Sequence, residues 1–140
     1  MNIIPLTSDY LSDLARLNHQ LLEDEGNTKS LSTEYLYQRM KNWLENKQFF
    51  GFGGLNDDGQ LVAYLLACYE SESIVYVRQL ITERNYRRQG YASTLLKHLE
   101  KYLGADQQIK LDVLMHNKNA IYFYASQGYK PFYMAMVKTT

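Results

Sequence analysis

The chain has 140 residues, 46% of them hydrophobic and 21% charged, with 8 glycines and 2 prolines; this suffices for one domain with a real core and excludes disordered and collagen-like structure. Lysine plus arginine and aspartate plus glutamate each number 15, a balance that argues against nucleic acid as the main partner. Cys68 is alone, which excludes an internal disulfide and a cysteine-rich zinc site.

Met1 to Leu6 lacks the basic flank and long apolar run of a signal peptide. The longest apolar stretch, Leu61 to Tyr69, is less than half a membrane span. A cytoplasmic protein with no membrane partner is expected. Leu11, Leu14, Leu17 and Leu21 then recur at helical spacing, with Thr7 or Ser8 placed to cap the helix and Gly26 to end it. A second helix starts at Ser32, with Glu34 in its first turn and Leu36, Met40, Trp43 and Leu44 on its apolar face. The period then changes. Phe49 to Leu55 reads as a glycine-rich strand, Asp57-Asp58-Gly59 as a hairpin turn, Leu61 to Tyr69 as a buried strand, and Ser73 to Thr82 as a third strand.

After a polar, basic turn, Ala92, Leu95, Leu96, Leu99 and Leu103 mark a helix that ends near Gly104. Ile109, Leu111, Val113 and Met115 alternate as one face of a strand. Asn117 opens a short helix that Gly128 stops, and Tyr129 to Val137 is expected to return as a strand with Pro131 confined to its start. A hairpin followed by two β-α units implies a mixed sheet with helices on its faces, an α/β protein.

The chemistry-bearing stretch is Leu80-Ile81-Thr82-Glu83-Arg84-Asn85-Tyr86-Arg87-Arg88-Gln89-Gly90-Tyr91-Ala92, a strand end, a tight turn and a helix start. A helix start presents unpaired backbone N–H groups and the positive end of a dipole. Gly90 admits close approach of an anion, and Arg84, Arg87 and Arg88 add charge at the mouth. The local pattern fits either a phosphate cradle or a solvated basic turn. No G-x-x-x-x-G-K-S/T phosphate loop and no G-x-G-x-x-G dinucleotide fingerprint competes with it.

Arg87-Arg88-Gln89-Gly90-Tyr91-Ala92 resembles the Q/R-x-x-G-x-G/A loop of the GNAT family of N-acetyltransferases. Downstream, Asn117-x-x-Ala120-x-x-Phe123-Tyr124-x-x-x-Gly128-Tyr129 resembles the family's second signature, in the expected order and one helix and one strand away. The resemblance covers residues 80 to 129 and implies a single N-acetyltransferase domain over residues 1–140. Its fold would be the acyl-CoA N-acyltransferase fold: a mixed, mostly antiparallel central sheet with a splayed parallel strand pair and helices on both faces. It also implies acetyl-CoA as co-substrate, with its pantetheine arm between the splayed strands. Leu80, Ile81 and Thr82 would meet that arm. Backbone amides from Arg87 through Arg88, Gln89, Gly90, Tyr91 and Ala92 to Ser93 would hold the pyrophosphate. Asn117 would bond the pantetheine side, and Tyr124 would sit near the sulfur. The chain departs from the family at Arg88, where many members have glycine, and at Thr82, where an apolar β-branched residue is more usual; a helical, outward-pointing Arg88 is expected to matter little.

Tyr124 also has a chemical case. Amine acetylation expels a thiolate, and a nearby phenol can protonate it; the alternative is a core tyrosine among Tyr122, Phe123 and Tyr129. The sequence nominates no clear base. Tyr76 and Arg78 share a strand face that reaches the acceptor side; Glu70, Glu72 and Glu83 flank that strand, and His116 closes the next. His19 and His98 are expected at the surface. Glu23-Asp24-Glu25 stands in the last turn of a helix, where the dipole disfavours acids, so Asp24 and Glu25 are candidates to attract a cationic amine; exchanging them for amides is then expected to stabilise the fold slightly. Arg78 pulls the other way, toward a carboxylate on the acceptor. The committed reading is an acetyl-CoA-dependent N-acetyltransferase, monomeric or homodimeric, acting directly on a small-molecule or peptide amine, with no metal and no acyl-enzyme at Cys68. The alternative is a non-catalytic CoA-binding sensor of the same fold.

Overall fold

A computed structural model gives the structure and describes residues 1–26 and 31–140. Five strands form one sheet in the order β1 (Asn2–Pro5), β2 (Phe49–Leu55), β3 (Leu61–Ser71), β4 (Ile74–Thr82) and β5 (Gln108–Lys110). The first three pairings are antiparallel and β4–β5 is parallel. Helices α1 (Leu11–Asp24) and α2 (Thr33–Glu45) cover one face, and α3 (Tyr91–Leu103) covers the other; α4 (Lys118–Ser126) follows β5.

Period and caps explain the helices. Leu11, Leu14 and Leu17 lie three apart on α1 and are buried with Met40 of α2 against Tyr64, Leu66 and Ile81. Ser32 accepts a hydrogen bond from the Tyr35 amide at 3.1 Å and so caps α2. On the opposite face Leu95, Leu96 and Leu99 pack on Leu65, Ala67, Val75 and Val77. Gly54 of β2 lets α3 sit close: a Cβ there would lie 2.9 Å from the ring of Tyr91, the first residue of α3. This contact fixes the start of α3 against the sheet.

Three sequence expectations are corrected. The four-residue β1 was not foreseen; it is too short for a period and pairs only with β2. The strand expected over Ile109 to Met115 is confined to Gln108–Lys110, because its ladder with β4 ends where Tyr76 faces Lys110. Tyr129 to Val137 forms no strand and is largely exposed. Its composition suits a strand, but β-structure exists only against a paired neighbour, and the segment has none among the described residues.

Arg88 is a fourth correction. It is not helical: its φ is 63°, in the left-handed region, and α3 begins only at Tyr91. Left-handed backbone costs a residue with a Cβ roughly 1–2 kcal/mol, which gives a physical reason for glycine at this position. Arg88→Gly is therefore expected to raise stability in urea unfolding, by about 0.5 kcal/mol once glycine's greater unfolded-state entropy is subtracted. An unchanged or lower midpoint would show that the arginine side chain compensates for its backbone.

Candidate functional site

The parallel pair parts early. β4 continues from Val77 to Thr82 after its ladder with β5 has stopped at Tyr76, so that edge of the strand is unpaired among the described residues. A bulge lies at the parting: Leu66 faces Gln79 and Ala67 faces Val77, leaving Arg78 as the extra residue. Bulges bend a strand and increase its twist, which turns the far half of β4 away from β5.

The unpaired half of β4 runs into a short 3-10 turn, Arg84–Tyr86, and then into the start of α3. Gly90 takes φ 86° at the N-cap, with no side-chain cap, and the first helical bond there is Thr94 N–H to the Gly90 carbonyl at 2.9 Å. The amides of Tyr91, Ala92 and Ser93 therefore have no acceptor among the described residues. Among the described residues, nothing lies within 4 Å of where a Gly90 Cβ would stand. The result is an open cluster of N–H donors at the positive end of a 13-residue helix, suited to a bound anion.

The flanking arginines are engaged. Arg84 donates to Asp24 at 2.9 and 3.2 Å and approaches Glu23 at 3.4 Å, and Arg87 also pairs with Asp24. Glu23 further meets His19 Nδ1 at 2.8 Å. Burial pushes the Asp24 carboxyl up, but hydrogen bonds from Arg84 and Arg87 outweigh it and hold it below its ordinary value. Of the three acids at the end of α1, Glu25 alone makes no ion pair among the described residues; burial and the neighbouring Asp24 charge push its carboxyl up. The end of α1 is thus tied to the loop before α3, and its charge is largely answered within the protein.

The other residues singled out in the sequence have the following partners. Leu80 packs with the α3-side core and Ile81 with the α1-side core. The Thr82 carbonyl accepts from Gln20 at 3.1 Å and from Arg87 at 3.4 Å. Gln89 donates to the Asn85 carbonyl at 3.3 Å. Asn117 accepts from the Ala120 amide at 3.2 Å and so caps α4. Ser93 donates to Gln127 at 3.3 Å, joining the start of α3 to the end of α4. Tyr124, on α4, packs edge-on against Phe123 and Tyr129, with centroids 5.2 and 5.7 Å away. Its hydroxyl makes no hydrogen bond among the described residues, and burial pushes it up to about 12.

Earlier on β4, the Tyr76 hydroxyl donates to Asp112 at 2.8 Å, and Arg78 stands 5.1 Å from the centre of the Trp43 ring. Glu70 and Glu83 are paired with Lys110 at 3.1 Å and Arg16 at 3.0 Å. His116 is exposed, whereas His98 lies half-buried, edge-on to Phe52. Burial pushes the Cys68 thiol up, away from the thiolate that a nucleophile needs. Sequence reasoning missed Asp112, which holds Tyr76, and Gln79, which accepts from the fully buried Tyr64 hydroxyl at 2.8 Å. A glutamine inside an apolar strand was the available signal for the second; Asp112 had none.

Burial also pushes Tyr76 and Tyr129 up to about 12. The folded chain retains these phenolic protons, and that of Tyr124, where an unfolded chain loses them near pH 10. Stability should stay flat with respect to these groups below pH 10 and fall between pH 10 and 12. Chemical unfolding at pH 8, 9.5 and 11 checks this, with Tyr124→Phe expected to flatten the fall.

The splayed strand pair thus lies beside an uncapped helix start. Residues 14–129 match the Acetyltransferase (GNAT) family, and the chain belongs to that family. Among solved structures, it superimposes on a tetramutant of the BH1408 protein from Bacillus halodurans with a TM-score of 0.86 at 19% identity, covering 100% of each chain. It is similar to the aminoglycoside antibiotic 6'-N-acetyltransferase AAC(6')-IG from Acinetobacter haemolyticus, with a TM-score of 0.80 at 19% identity over 100% of this chain and 98% of that one. The aminoglycoside N-acetyltransferase AAC(6')-Iy, solved in complex with CoA, gives a TM-score of 0.82 at 13% identity over 99% and 93% of the two chains. No curated protein matches the chain by sequence. None of its helices, among the described residues, is long and apolar enough to cross a membrane.

Proposed function

We propose that the chain is an N-acetyltransferase that moves an acetyl group from acetyl-CoA directly to a primary amine of a small molecule or peptide. The observation that carries this reading is the free amide cluster at Tyr91–Ser93 behind Gly90, at the end of the unpaired half of β4. It offers donors for a pyrophosphate at one end and an open strand edge for the amides of a pantetheine arm at the other. Leu80 and Ile81 meet that arm through their backbone, since their side chains belong to the two cores; Thr82 follows them on the same strand, with its carbonyl already taken by Gln20 and Arg87. Asn117 keeps its side-chain NH2 available after its oxygen has capped α4.

In the reaction the amine nitrogen attacks the thioester carbon, the C–S bond breaks with its electron pair on sulfur, and the nitrogen loses a proton. Tyr124 is the donor to the departing sulfur. A phenol near 12 stays protonated at neutral pH, and full transfer to a thiolate whose conjugate acid is near 8.5 is uphill. Its contribution is therefore a hydrogen bond to the developing charge, with solvent completing the thiol. Amine-dependent release of free thiol from acetyl-CoA tests the reading. Tight CoA binding with no thiol release across a broad amine panel would overturn it in favour of a CoA sensor.

The acceptor side is tested through the acids. Asp24→Asn removes the charge, and one of the two oxygens, that Arg84 and Arg87 share, so it should lower stability by about 1 kcal/mol, the upper range for exposed ion pairs. This reverses the small gain expected from the helix dipole alone. Glu25→Gln should raise the KM of a cationic amine and leave the KM of acetyl-CoA unchanged. Identical amine kinetics in Glu25→Gln and parent would shift attention to Arg78 and to acceptors carrying a carboxylate.

A further inference from the structure

The bulge in β4 also changes where its side chains point. Successive side chains of a regular strand take opposite faces. Arg78 and Gln79 are successive, yet both reach the face covered by α1 and α2. Gln79 accepts at 2.8 Å from the hydroxyl of Tyr64, a residue of the α1-side core, and the Arg78 guanidinium stands 5.1 Å from the centre of the Trp43 ring, on α2. The extra residue at Arg78 permits this. Two polar side chains are thus set side by side where the unpaired half of β4 begins.

The groups they leave over are donors. The Tyr64 bond takes the Gln79 oxygen and so orients the amide, leaving its NH2 without a partner among the described residues. Arg78 pairs with no carboxylate among the described residues. Neither does Arg39, whose guanidinium stands 4.7 Å from the centre of the same Trp43 ring. Arg39 donates instead to Asn18 at 2.8 Å, and Asn18 is fully buried and uncharged. The Arg39 Nε has no partner among the described residues. An aromatic face attracts a guanidinium but does not cancel its charge, so two positive charges remain over one ring.

The opposite pole is close by. Burial pushes the Tyr64 hydroxyl up; Arg39 draws it back down, and Glu25 pushes it further up. Arg39 and Glu25 therefore both lie within electrostatic reach of that hydroxyl, and Glu25 is the acid of α1 that has no cation of its own among the described residues.

We propose that the acceptor is an amino acid, its carboxylate held by Arg78 and the Gln79 NH2 beside Trp43, and its amine the group that is acetylated. This rests on the acetyltransferase reading and narrows its acceptor. A guanidinium offers parallel N–H donors that match the two oxygens of a carboxylate, and the glutamine amide adds another. The bound anion also relieves the repulsion between Arg78 and Arg39. The bonds made and broken are those of the acetyl transfer given above; the carboxylate takes no part in them. Tyr64 acts through Gln79 and is a positioning residue.

Trp43 is the one tryptophan of the chain, so its fluorescence reports this place without turnover. The probes are N-acetyl amino acids, the expected products, each set against its uncharged primary amide. At least one acid is expected to shift the emission saturably, with its amide binding about tenfold more weakly, and Arg78→Gln to remove the difference. Arg78 is exposed, so the variant should fold, and the comparison of acid with amide in the parent needs no variant at all. If no acid binds more tightly than its amide, or if the preference survives in folded Arg78→Gln, the proposal is overturned. Thiol release from acetyl-CoA is then measured with the free amino acids and their amides. Release with a lower KM for acids is expected. Release without that preference overturns the carboxylate site and leaves the acetyltransferase standing, whereas no release with these or any other amine overturns both.

Discussion

Gly90→Asp is expected to bind CoA at least tenfold more weakly than the parent, a loss of about 1.4 kcal/mol. The substitution places a carboxylate in the open space above Gly90, where nothing stands within 4 Å, and in front of the free amides of Tyr91–Ser93. Backbone strain has to be separated from charge, because φ at Gly90 is 86° and any Cβ is disfavoured there. Gly90→Asn is the control: asparagine tolerates left-handed backbone about as well as aspartate and has the same shape without the charge. Calorimetry should give Asn a smaller loss than Asp. Equal affinities in parent and both folded variants would mean that the helix start does not hold the anion. The arginines contribute less by this account. Arg84 and Arg87 are already paired with Asp24, so Arg87→Ala should weaken CoA binding by less than Gly90→Asp.

Tyr124→Phe is expected to lower kcat by about 10²-fold and to leave acetyl-CoA binding nearly unchanged. Phenylalanine keeps the edge-on packing against Phe123 and Tyr129, so the difference reports the hydroxyl alone. Because burial pushes Tyr124 up to about 12, its ionisation contributes no fall in kcat between pH 7 and 10. A kcat equal to that of the parent would return Tyr124 to a packing role, and a stability change without a rate change would do the same.

Local signals were readable where one residue dictates one geometry. Ser32 and Asn117 are caps because a short oxygen-bearing side chain can satisfy an orphan amide. Gly104 and Gly128 end helices because each adopts positive φ. The loop before α3 was legible for the same reason, through Gly90. What escaped was settled by distant partners. Asp24 looked like a free acid at an unfavourable helix end, yet Arg84 and Arg87, some sixty residues along the chain, answer it. Tyr76 acquires its partner Asp112 only through the β4–β5 pairing. Arg88 was misplaced because a helix period can extend backwards over a residue whose backbone has already turned left-handed. The run after Gly128 has the composition of a strand, but composition alone does not provide an edge to pair with.

The extra residue at Arg78 divides β4 into two half-strands of opposite phase. Before it, Val75 and Val77 face α3 from odd positions; after it, Leu80 faces α3 from an even one, while Ile81 turns to α1. One continuous strand therefore carries two reading frames, the first committed to its neighbour and the second released from it. A related sequence that lacks the extra residue needs a gap at this point, or inside is assigned to outside for every later position of the strand. The break in frame, more than the identity of the residues on either side, is what separates the half of β4 paired on both edges from the half paired on one.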